Sequence, residues 1–220
     1  MNSKLNAIQL QRAREALLAD TSDQLIDLIF RLNLGLQIPS ELRSATELAI
    51  SIDWVVDPAQ PRLSVLGAMV ADPIREYRFW LDRDRRTHGE AEYDLLAPER
   101  YQGMAVLEPG SGFGCNLMSL MRRTDGEFIG LEPMAIYRQF SGLFAEREGM
   151  HAPEVVAGEA EKLPFEDERF DVVLCYSAHQ YMDITVALNE MARVLVPGGR
   201  LQIIGATTGT YLRSTSRQFV

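Results

Sequence analysis

The pattern of hydrophobic positions along this chain changes near residue 100. Beyond it, short uninterrupted apolar runs alternate with longer one-sided runs, which is the pattern of buried parallel strands connected by helices. The uninterrupted runs lie at 104–107, 128–131, 172–175 and 201–204. The second half of the chain is therefore predicted to form an α/β, Rossmann-like doubly wound sheet.

The first hundred residues carry mainly helical patterns. The one-sided apolar stripe that predicts a first helix consists of Leu5, Ile8, Ala13, Ala16 and Leu17. Thr21 and Gln24 form a capping-box pair that should open a second helix, and Gly35 should end it. Ser40 is expected to cap a short third helix.

A fourth helix is predicted to begin at Ser44, which belongs to a second capping-box pair, and to continue through Val56. Residues 57–61 contain two prolines that break the pattern, and residues 62–65 fit a short strand. A further helix should begin at Leu66. Helices followed by a small wing of strand predict a winged-helix-like arrangement.

These patterns divide the chain into three parts. Residues 1–72 are predicted to form a mainly helical, winged-helix-like domain, residues 73–100 a connecting helical segment, and residues 101–220 the α/β domain. Within the connecting segment, residues 82–86 alternate in charge, which indicates a solvated helix face rather than an anion site. The apolar residues 79–81 indicate a contact between the two domains.

Composition narrows the range of functions. The formal net charge of the 220 residues is −9, which argues against a broad nucleic-acid face, because phosphate binding needs clustered Lys and Arg. Cys115 and Cys175 have neither disulfide-framework nor metal-site spacing, and no His, Cys, Asp and Glu cluster suggests a metal ligand set. No stretch is apolar enough to span a membrane, and the first residues are too polar for a secretory signal. A cytoplasmic protein with a small ligand is expected.

The first apolar run leads into a glycine-rich turn. Glu108 ends the run, and Gly110, Gly112 and Gly114 follow before a helical pattern resumes. Glycine suits this turn because it adopts positive φ angles and lets a ligand approach the backbone. Such turns serve nicotinamide, flavin and adenosyl cofactors alike. Glu132, about 20 residues further on, is placed to accept both hydroxyls of a ribose.

Two later motifs occur in a fixed order after the glycine turn. An acidic turn at 158–165 precedes the third strand, and a Pro-Gly-Gly turn at 197–199 precedes a new strand. With these motifs, residues 104–205 resemble a class I S-adenosylmethionine-dependent methyltransferase of the small-molecule, methyltransferase type 11-like kind. The resemblance implies the strand order 3-2-1-4-5. It also implies a further helix and two antiparallel strands, for which residues 206–220 are too few, so the chain is expected to be C-terminally incomplete or completed by another chain.

The resemblance implies a role for each motif residue. The backbone of the turn would lie against the amino-acid and ribose parts of S-adenosylmethionine; these residues are Gly110, Ser111, Gly112 and Gly114. Glu108 would support the loop and the ammonium end, and Glu132 would accept the ribose hydroxyls. Pro133 would fix the exit of the chain, and Met134 would pack on the adenine.

The remaining implied contacts come from the later motifs. Glu159 occupies the position of a family aspartate that bonds the adenine amino group, and Ala160 would contribute a backbone contact. Tyr176 is a further cofactor contact beyond the third strand. His179 is the candidate general base for an acceptor that must lose a proton, and the alternative is a hydrogen-bonded wall residue.

The resemblance implies methyl transfer to a small organic acceptor at oxygen, nitrogen or carbon, with S-adenosylhomocysteine as product. The N-terminal domain would support a homodimer, as in O-methyltransferases, and a DNA-binding winged helix is the alternative. For the whole chain, a binding module without chemistry, a nicotinamide oxidoreductase and a DNA-binding regulator are the other hypotheses.

Overall fold

The computed structural model describes residues 4–86, 98–207 and 210–211. Residues 87–97 of the predicted connecting segment and residues 212–220 lie outside this part. The helices are α1 (Ala7–Leu18), α2 (Ser22–Asn33), α3 (Arg43–Ser51), α4 (Val65–Arg86), α5 (Cys115–Met121), α6 (Ala135–Arg147) and α7 (Ile184–Val194). The strands are β1 (Val55–Val56), β2 (Arg62–Leu63), β3 (Ala105–Pro109), β4 (Glu127–Leu131), β5 (Glu154–Val156), β6 (Phe170–Tyr176), β7 (Leu195–Ile204), β8 (Ala206–Thr207) and β9 (Thr210–Tyr211).

Five parallel strands form the central sheet in the order β5-β4-β3-β6-β7. Counted from β3 as strand 1, this is the order 3-2-1-4-5 that the resemblance implies, which is thereby confirmed. The third strand is β5, which none of the predicted apolar runs covers, so the strand predicted as third is the fourth, β6. Since β3 lies between β4 and β6, the chain reverses its direction of winding beside β3. Open sheets of this kind bind ligands outside the carboxyl ends of their strands at that point. The segments that follow β3, β4 and β6 therefore meet at one edge of the sheet.

Alternation along the strands assigns each side chain to one face of the sheet. Leu107 and Val173, which are paired in register, lie in one core cluster with Met191 of α7. Val106 and its paired residue Val172 belong to a second cluster, which includes Leu117 of α5. Both faces are covered by helices, which is why these strands read as uninterrupted apolar runs.

The Pro-Gly-Gly turn lies within β7 rather than before it. The partner of Phe170 is Leu195, whereas the partner of Val172 is Arg200, so residues 196–199 leave the ladder. Gly198 has φ +82°, which a residue with a Cβ rarely adopts. The strand therefore begins earlier than predicted and carries the turn as an irregularity.

The predicted capping box at the start of α2 is wrong. Thr21 has φ −88° and ψ 6°, and it makes no side-chain cap bond because a capping residue needs an extended backbone. A capping box opens α1 instead, where the Asn6 and Gln9 side chains accept each other's backbone N–H at 2.9 and 3.0 Å. The predicted end of α2 is confirmed, since Gly35 follows the helix with φ +66°.

The predicted third and fourth helices are also revised. Residues 40–42 form a 3-10 turn that continues directly into α3, so Ser44 lies inside that helix and does not cap it. Helix α3 does not reach Val56, because Asp53 and Asp57 both adopt φ +63° and turn the chain. Between them, β1 pairs antiparallel with β2 as a small hairpin.

Helix α4 joins the N-terminal helices to the sheet domain. It runs from Val65 to Arg86 and contains Pro73, so the predicted boundary between residues 72 and 73 falls inside one helix. Tyr77 stacks on Phe144 of α6 with ring centroids 4.0 Å apart. The Trp80 indole N–H donates to Ser119 Oγ of α5 at 2.8 Å. The predicted domain contact at residues 79–81 is therefore made by Trp80.

Candidate functional site

The glycine-rich turn follows β3 and leads into α5. Gly110, Gly112 and Gly114 have φ +71°, +58° and +84°, as expected for a turn that needs glycine. The Gly110 N–H donates to the carbonyl oxygen of Leu131 at 2.7 Å, which ties the turn to the end of β4. A Cβ on Gly110 would lie 2.4 Å from the Ala178 Cβ. The turn thus packs against the segment that follows β6.

Glu132 lies beside the glycine turn, directly after β4. Its Oε2 accepts the Gly112 N–H at 3.1 Å and its Oε1 accepts the Met134 N–H at 2.8 Å. Burial raises the pKa of this carboxyl, and the two N–H groups and Arg138 oppose that rise. Each carboxylate oxygen accepts more than one hydrogen bond, so both can still accept a hydroxyl. The sequence prediction that Glu132 and the turn share one site agrees with this geometry.

Glu108 is held inside the protein. Only 1% of its surface is exposed, and its Oε1 accepts the Asn116 side-chain N–H at 2.6 Å. This bond joins the end of β3 to the first turn of α5. The geometry fits the expected support of the loop, whereas the expected contact of Glu108 with an ammonium group is untested.

A carboxyl that the sequence analysis missed reaches the turn from helix α4. The Tyr137 hydroxyl of α6 donates to Glu76 Oε1 at 2.9 Å. A Cβ on Gly112 would lie 3.2 Å from Glu76 Oε2 and 3.7 Å from Tyr137 Cδ1. Burial raises the pKa of Glu76 to about 7, and the Tyr137 hydrogen bond opposes that rise. The two side chains therefore lie over the turn at Gly112, where there is no Cβ to keep them away.

One signal in the sequence points to Glu76. The buried residues Val70, Ile74, Tyr77 and Leu81 continue a helical spacing past residue 72. Extending the helix along this spacing puts Glu76 beside its buried face, where an acid needs a partner or a ligand. The division of the chain at residue 72 hid this relation.

The segment after β6 lies between the carboxyl ends of β6 and β7. Ser177 has φ +53°, and its N–H donates to the Ile204 carbonyl oxygen at 2.6 Å. The His179 ring packs on Gly205, where a Cβ would lie 2.4 Å from its Cε1. His179 Nδ1 is buried and has no hydrogen-bond partner among the described residues. The ring is thus fixed by packing, and its Nδ1 is left without a hydrogen-bond partner in the described part of the chain.

The other predicted cofactor contacts surround the end of β4. Pro133 and Met134 are exposed, with 45% of Met134 accessible, so this side chain is free to cover a flat ring. Ala160 is buried, whereas Glu159 is exposed and pairs through its backbone with Lys162. The backbone of the Ala160 turn is consequently better fixed than the Glu159 side chain.

The donor set can be tested against candidate cofactors. The side chains at the turn, from Glu76, Glu132 and Tyr137, offer carboxyl and hydroxyl groups. A phosphate-bearing dinucleotide would meet negative charge here, whereas S-adenosylmethionine has no phosphate and carries a sulfonium and an ammonium group. The residues fit this cofactor. Over residues 4–86, 98–207 and 210–211, no group of three or more His, Cys, Asp or Glu is placed to hold a metal ion.

Within the same ranges of residues, none of the helices has the length and apolar character that crossing a membrane requires.

Comparison with known proteins identifies the sheet domain. Residues 107–203 match the family model described as a methyltransferase domain. The chain is 33% identical to the uncharacterized methyltransferase YcgJ of Bacillus subtilis over 100 residues. These residues are 45% of this chain and 39% of that protein. The crystal structure of YcgJ aligns with 28% identity and a TM-score of 0.47, covering 52% of this chain and 51% of that chain.

Some relatives are named by their substrates. The chain is 35% identical over 122 residues to phthiotriol/phenolphthiotriol dimycocerosates methyltransferase 1 of Mycobacterium ulcerans, or 54% of this chain and 44% of that protein. It is 38% identical over 109 residues to the fatty-acid O-methyltransferase of Mycolicibacterium smegmatis, or 49% of this chain and 39% of that protein. The chain thus spans less than half the length of these curated relatives.

Proposed function

We propose that residues 107–203, which match the methyltransferase domain model, form a class I S-adenosylmethionine-dependent methyltransferase domain, and that the protein transfers a methyl group from S-adenosylmethionine to a small organic acceptor. The observation that carries the proposal is the bond between Glu132 and the Gly112 N–H. It brings together the carboxyl expected for ribose and the turn expected for the rest of the nucleoside. Both lie at the carboxyl ends of the strands, where sheets of this kind bind ligands.

Each part of the site has a proposed role toward the nucleoside. The backbone of the turn lies along the ribose and the amino-acid end; its residues are Gly110, Ser111, Gly112 and Gly114. Glu132 accepts the ribose hydroxyls, and Glu108 holds the turn against α5. Met134 covers the adenine after Pro133 directs the chain. Glu159 or the Ala160 backbone bonds its amino group, and Tyr176 closes the cofactor site beside β6.

The reaction needs alignment more than it needs a catalytic base. Bound S-adenosylmethionine supplies a methyl carbon that the acceptor attacks in line with the carbon–sulfur bond, whose electron pair stays on sulfur. The proposed role of the protein is to hold the acceptor on that line. When the acceptor is a hydroxyl, His179 receives its proton through Nδ1, which has no other partner among the described residues.

The acceptor class is part of the proposal. A fatty-acid O-methyltransferase and a methyltransferase for phthiotriol dimycocerosates are among the relatives. Their names support an apolar small molecule or lipid with one nucleophilic group. Transfer to oxygen is the form in which His179 has a role, and transfer to nitrogen or carbon remains within the proposal.

The test is binding followed by transfer with the full chain. Calorimetry should show saturable binding of S-adenosylhomocysteine, and Glu132→Ala should weaken it by about tenfold or more because two ribose hydrogen bonds are lost. The matched control is Glu127→Ala at the exposed start of β4, which should leave the affinity unchanged. Labelled S-adenosylmethionine incubated with lipid and phenol acceptors should then label a product.

Other outcomes would replace the proposal. Nucleoside binding without transfer to any acceptor would indicate a binding module, and tight nicotinamide cofactor binding without nucleoside binding would indicate an oxidoreductase. A salt-dependent complex with duplex DNA would indicate a regulator.

The proposal extends to the assembly and the location of the protein. We infer a homodimer through the N-terminal helices and their β1–β2 hairpin. A winged-helix-like arrangement of these elements is part of the same proposal. Exposed apolar side chains there, Ile8 at 68% and Val65 at 86%, support this contact. Sedimentation velocity should give twice the monomer mass, which Ile8→Glu with Val65→Glu should halve. A cytoplasmic location is supported by Cys115 and Cys175, which form no disulfide.

A further inference from the structure

Glu76 comes from outside the methyltransferase domain but lies against its glycine turn. It belongs to α4, whereas the family match begins at residue 107. Its Oε2 lies 3.2 Å from where a Cβ of Gly112 would be, and its Oε1 accepts the Tyr137 hydroxyl at 2.9 Å. The hydrogen bond fixes one oxygen, so the other is directed toward the space that the missing Cβ leaves open.

The groups that face Glu76 leave its charge unbalanced. On α4 they are Asp72 and Arg75, on α6 Tyr137, and after β4 Glu132. Arg75 Nη1 pairs with Asp72 Oδ1 at 2.9 Å, so that cation is already shared with another acid. Glu132 adds a second carboxyl at the same turn, where it accepts the Gly112 N–H. The site is therefore best completed by a cation that comes with the ligand.

We propose that Glu76 binds the ammonium group at the amino-acid end of the nucleoside cofactor, so that the N-terminal helix α4 completes the cofactor site. The inference rests on the proposed function, since it assumes that S-adenosylmethionine binds along the glycine turn. With ribose held by Glu132 and adenine beyond it at Met134, the amino-acid end extends away from Met134 and toward α4.

The chemistry favours the ammonium over the sulfonium as the partner of Glu76. An ammonium group has three N–H donors that match a carboxylate oxygen, whereas a sulfonium has none. The sulfonium methyl must also face the acceptor, and a carboxylate in contact with it would occupy the acceptor's position. The glycine at position 112 then has a function, because any Cβ there would fill the space between the carboxyl and the ligand.

Ammonium binding by Glu76 couples the cofactor affinity to pH. Burial holds the pKa of Glu76 at about 7 in the ligand-free protein, so roughly half of the molecules carry a neutral acid at that pH. The ammonium group binds the ionised form, and binding therefore releases a proton. Between about pH 6 and about pH 8 the ionised fraction rises roughly tenfold, and the affinity should rise with it.

The experiment compares two neutral-sulfur nucleosides by calorimetry with the full chain. S-adenosylhomocysteine carries the amino-acid end, and 5′-methylthioadenosine lacks it. At about pH 8, Glu76→Gln should weaken S-adenosylhomocysteine binding by about tenfold, because a charge-assisted hydrogen bond is lost, and should leave methylthioadenosine binding within about twofold. Glutamine keeps the size of the side chain and its bond from Tyr137. Glu47→Gln, on the exposed face of α3, is the matched control and should change neither affinity.

Proton release provides a second measurement. Titrations near pH 7 in buffers of different ionisation enthalpy should show about half a proton released with wild-type protein and none with Glu76→Gln. Equal losses for both nucleosides, or no loss for either, would overturn the inference. So would weaker binding of S-adenosylmethionine alone, since that would put the sulfonium beside Glu76. Wild-type protein that binds neither nucleoside would overturn the proposed function instead.

Discussion

Gly110→Ala tests whether the glycine turn is fixed by the segment that follows β6. Two costs add at this position. The positive φ of +71° costs an alanine roughly 1–2 kcal/mol. The new Cβ would lie 2.4 Å from the Ala178 Cβ, and since that atom is attached directly to the backbone, the segment must move, at roughly 1–3 kcal/mol. The free energy of unfolding should fall by roughly 2–5 kcal/mol in total.

Two matched glycines separate these costs in urea unfolding experiments. Gly35 has φ +66° and nothing within 4 Å of a Cβ, so Gly35→Ala should show the conformational cost alone, roughly 1–2 kcal/mol. Gly142 lies in α6 with nothing within 4 Å, so Gly142→Ala should stabilise the protein by roughly 0.5–1 kcal/mol. If Gly110→Ala cost no more than Gly35→Ala, the packing of the turn against Ala178 would be refuted.

Three further predictions concern the buried polar groups. Glu76→Gln should raise the melting temperature at about pH 8 and not at about pH 5. Burial raises the pKa of Glu76 to about 7, so the stability that its neutral form contributes is lost as the pH rises through that value. An equal shift at both pH values would contradict this. A thiol reagent at about pH 8 should label Cys115, which is partly exposed, and should not label Cys175. Cys175 is buried, and burial raises the pKa of its thiol to about 12. Mass spectrometry of protein labelled in the native state identifies the labelled cysteine. Trp80→Phe should cost roughly 1–3 kcal/mol in urea unfolding, because it removes the bond to Ser119 Oγ and leaves a gap in the contact of α4 with α5; an unchanged unfolding midpoint would show that this contact does not hold the helix.

Local signals predicted much of the sheet domain. The uninterrupted apolar runs predicted four of the five strands because those strands are covered on both faces, but they missed β5, which is only partly buried. The glycines predicted the turn because positive φ angles need them. The position of Glu132 followed from its place directly after the second run. The turn depends on residues that are close in sequence. The buried strands depend on a burial that requires uninterrupted runs of apolar residues.

The N-terminal predictions were weaker for a physical reason. Residue types alone predict a capping box at Thr21, but capping depends on backbone angles, and Thr21 does not have the extended backbone that it needs. The pattern at Val55 and Val56 fits a helix as well as a strand. The left-handed backbone conformations of Asp53 and Asp57, which the sequence pattern does not predict, end the helix and allow the hairpin.

The sequence by itself determined four strands of the sheet, the conformation of the glycine turn and the carboxyl that lies beside it, and its family resemblance implied the order of the strands. Only the tertiary structure decided that α4 continues past residue 72, that Tyr137 holds Glu76 over Gly112, and that His179 packs on Gly205. The physical reason is distance along the chain. Backbone preferences and hydrophobic periodicity act over a few residues, whereas Glu76 and Tyr137 are 61 residues apart and meet only when the helices pack.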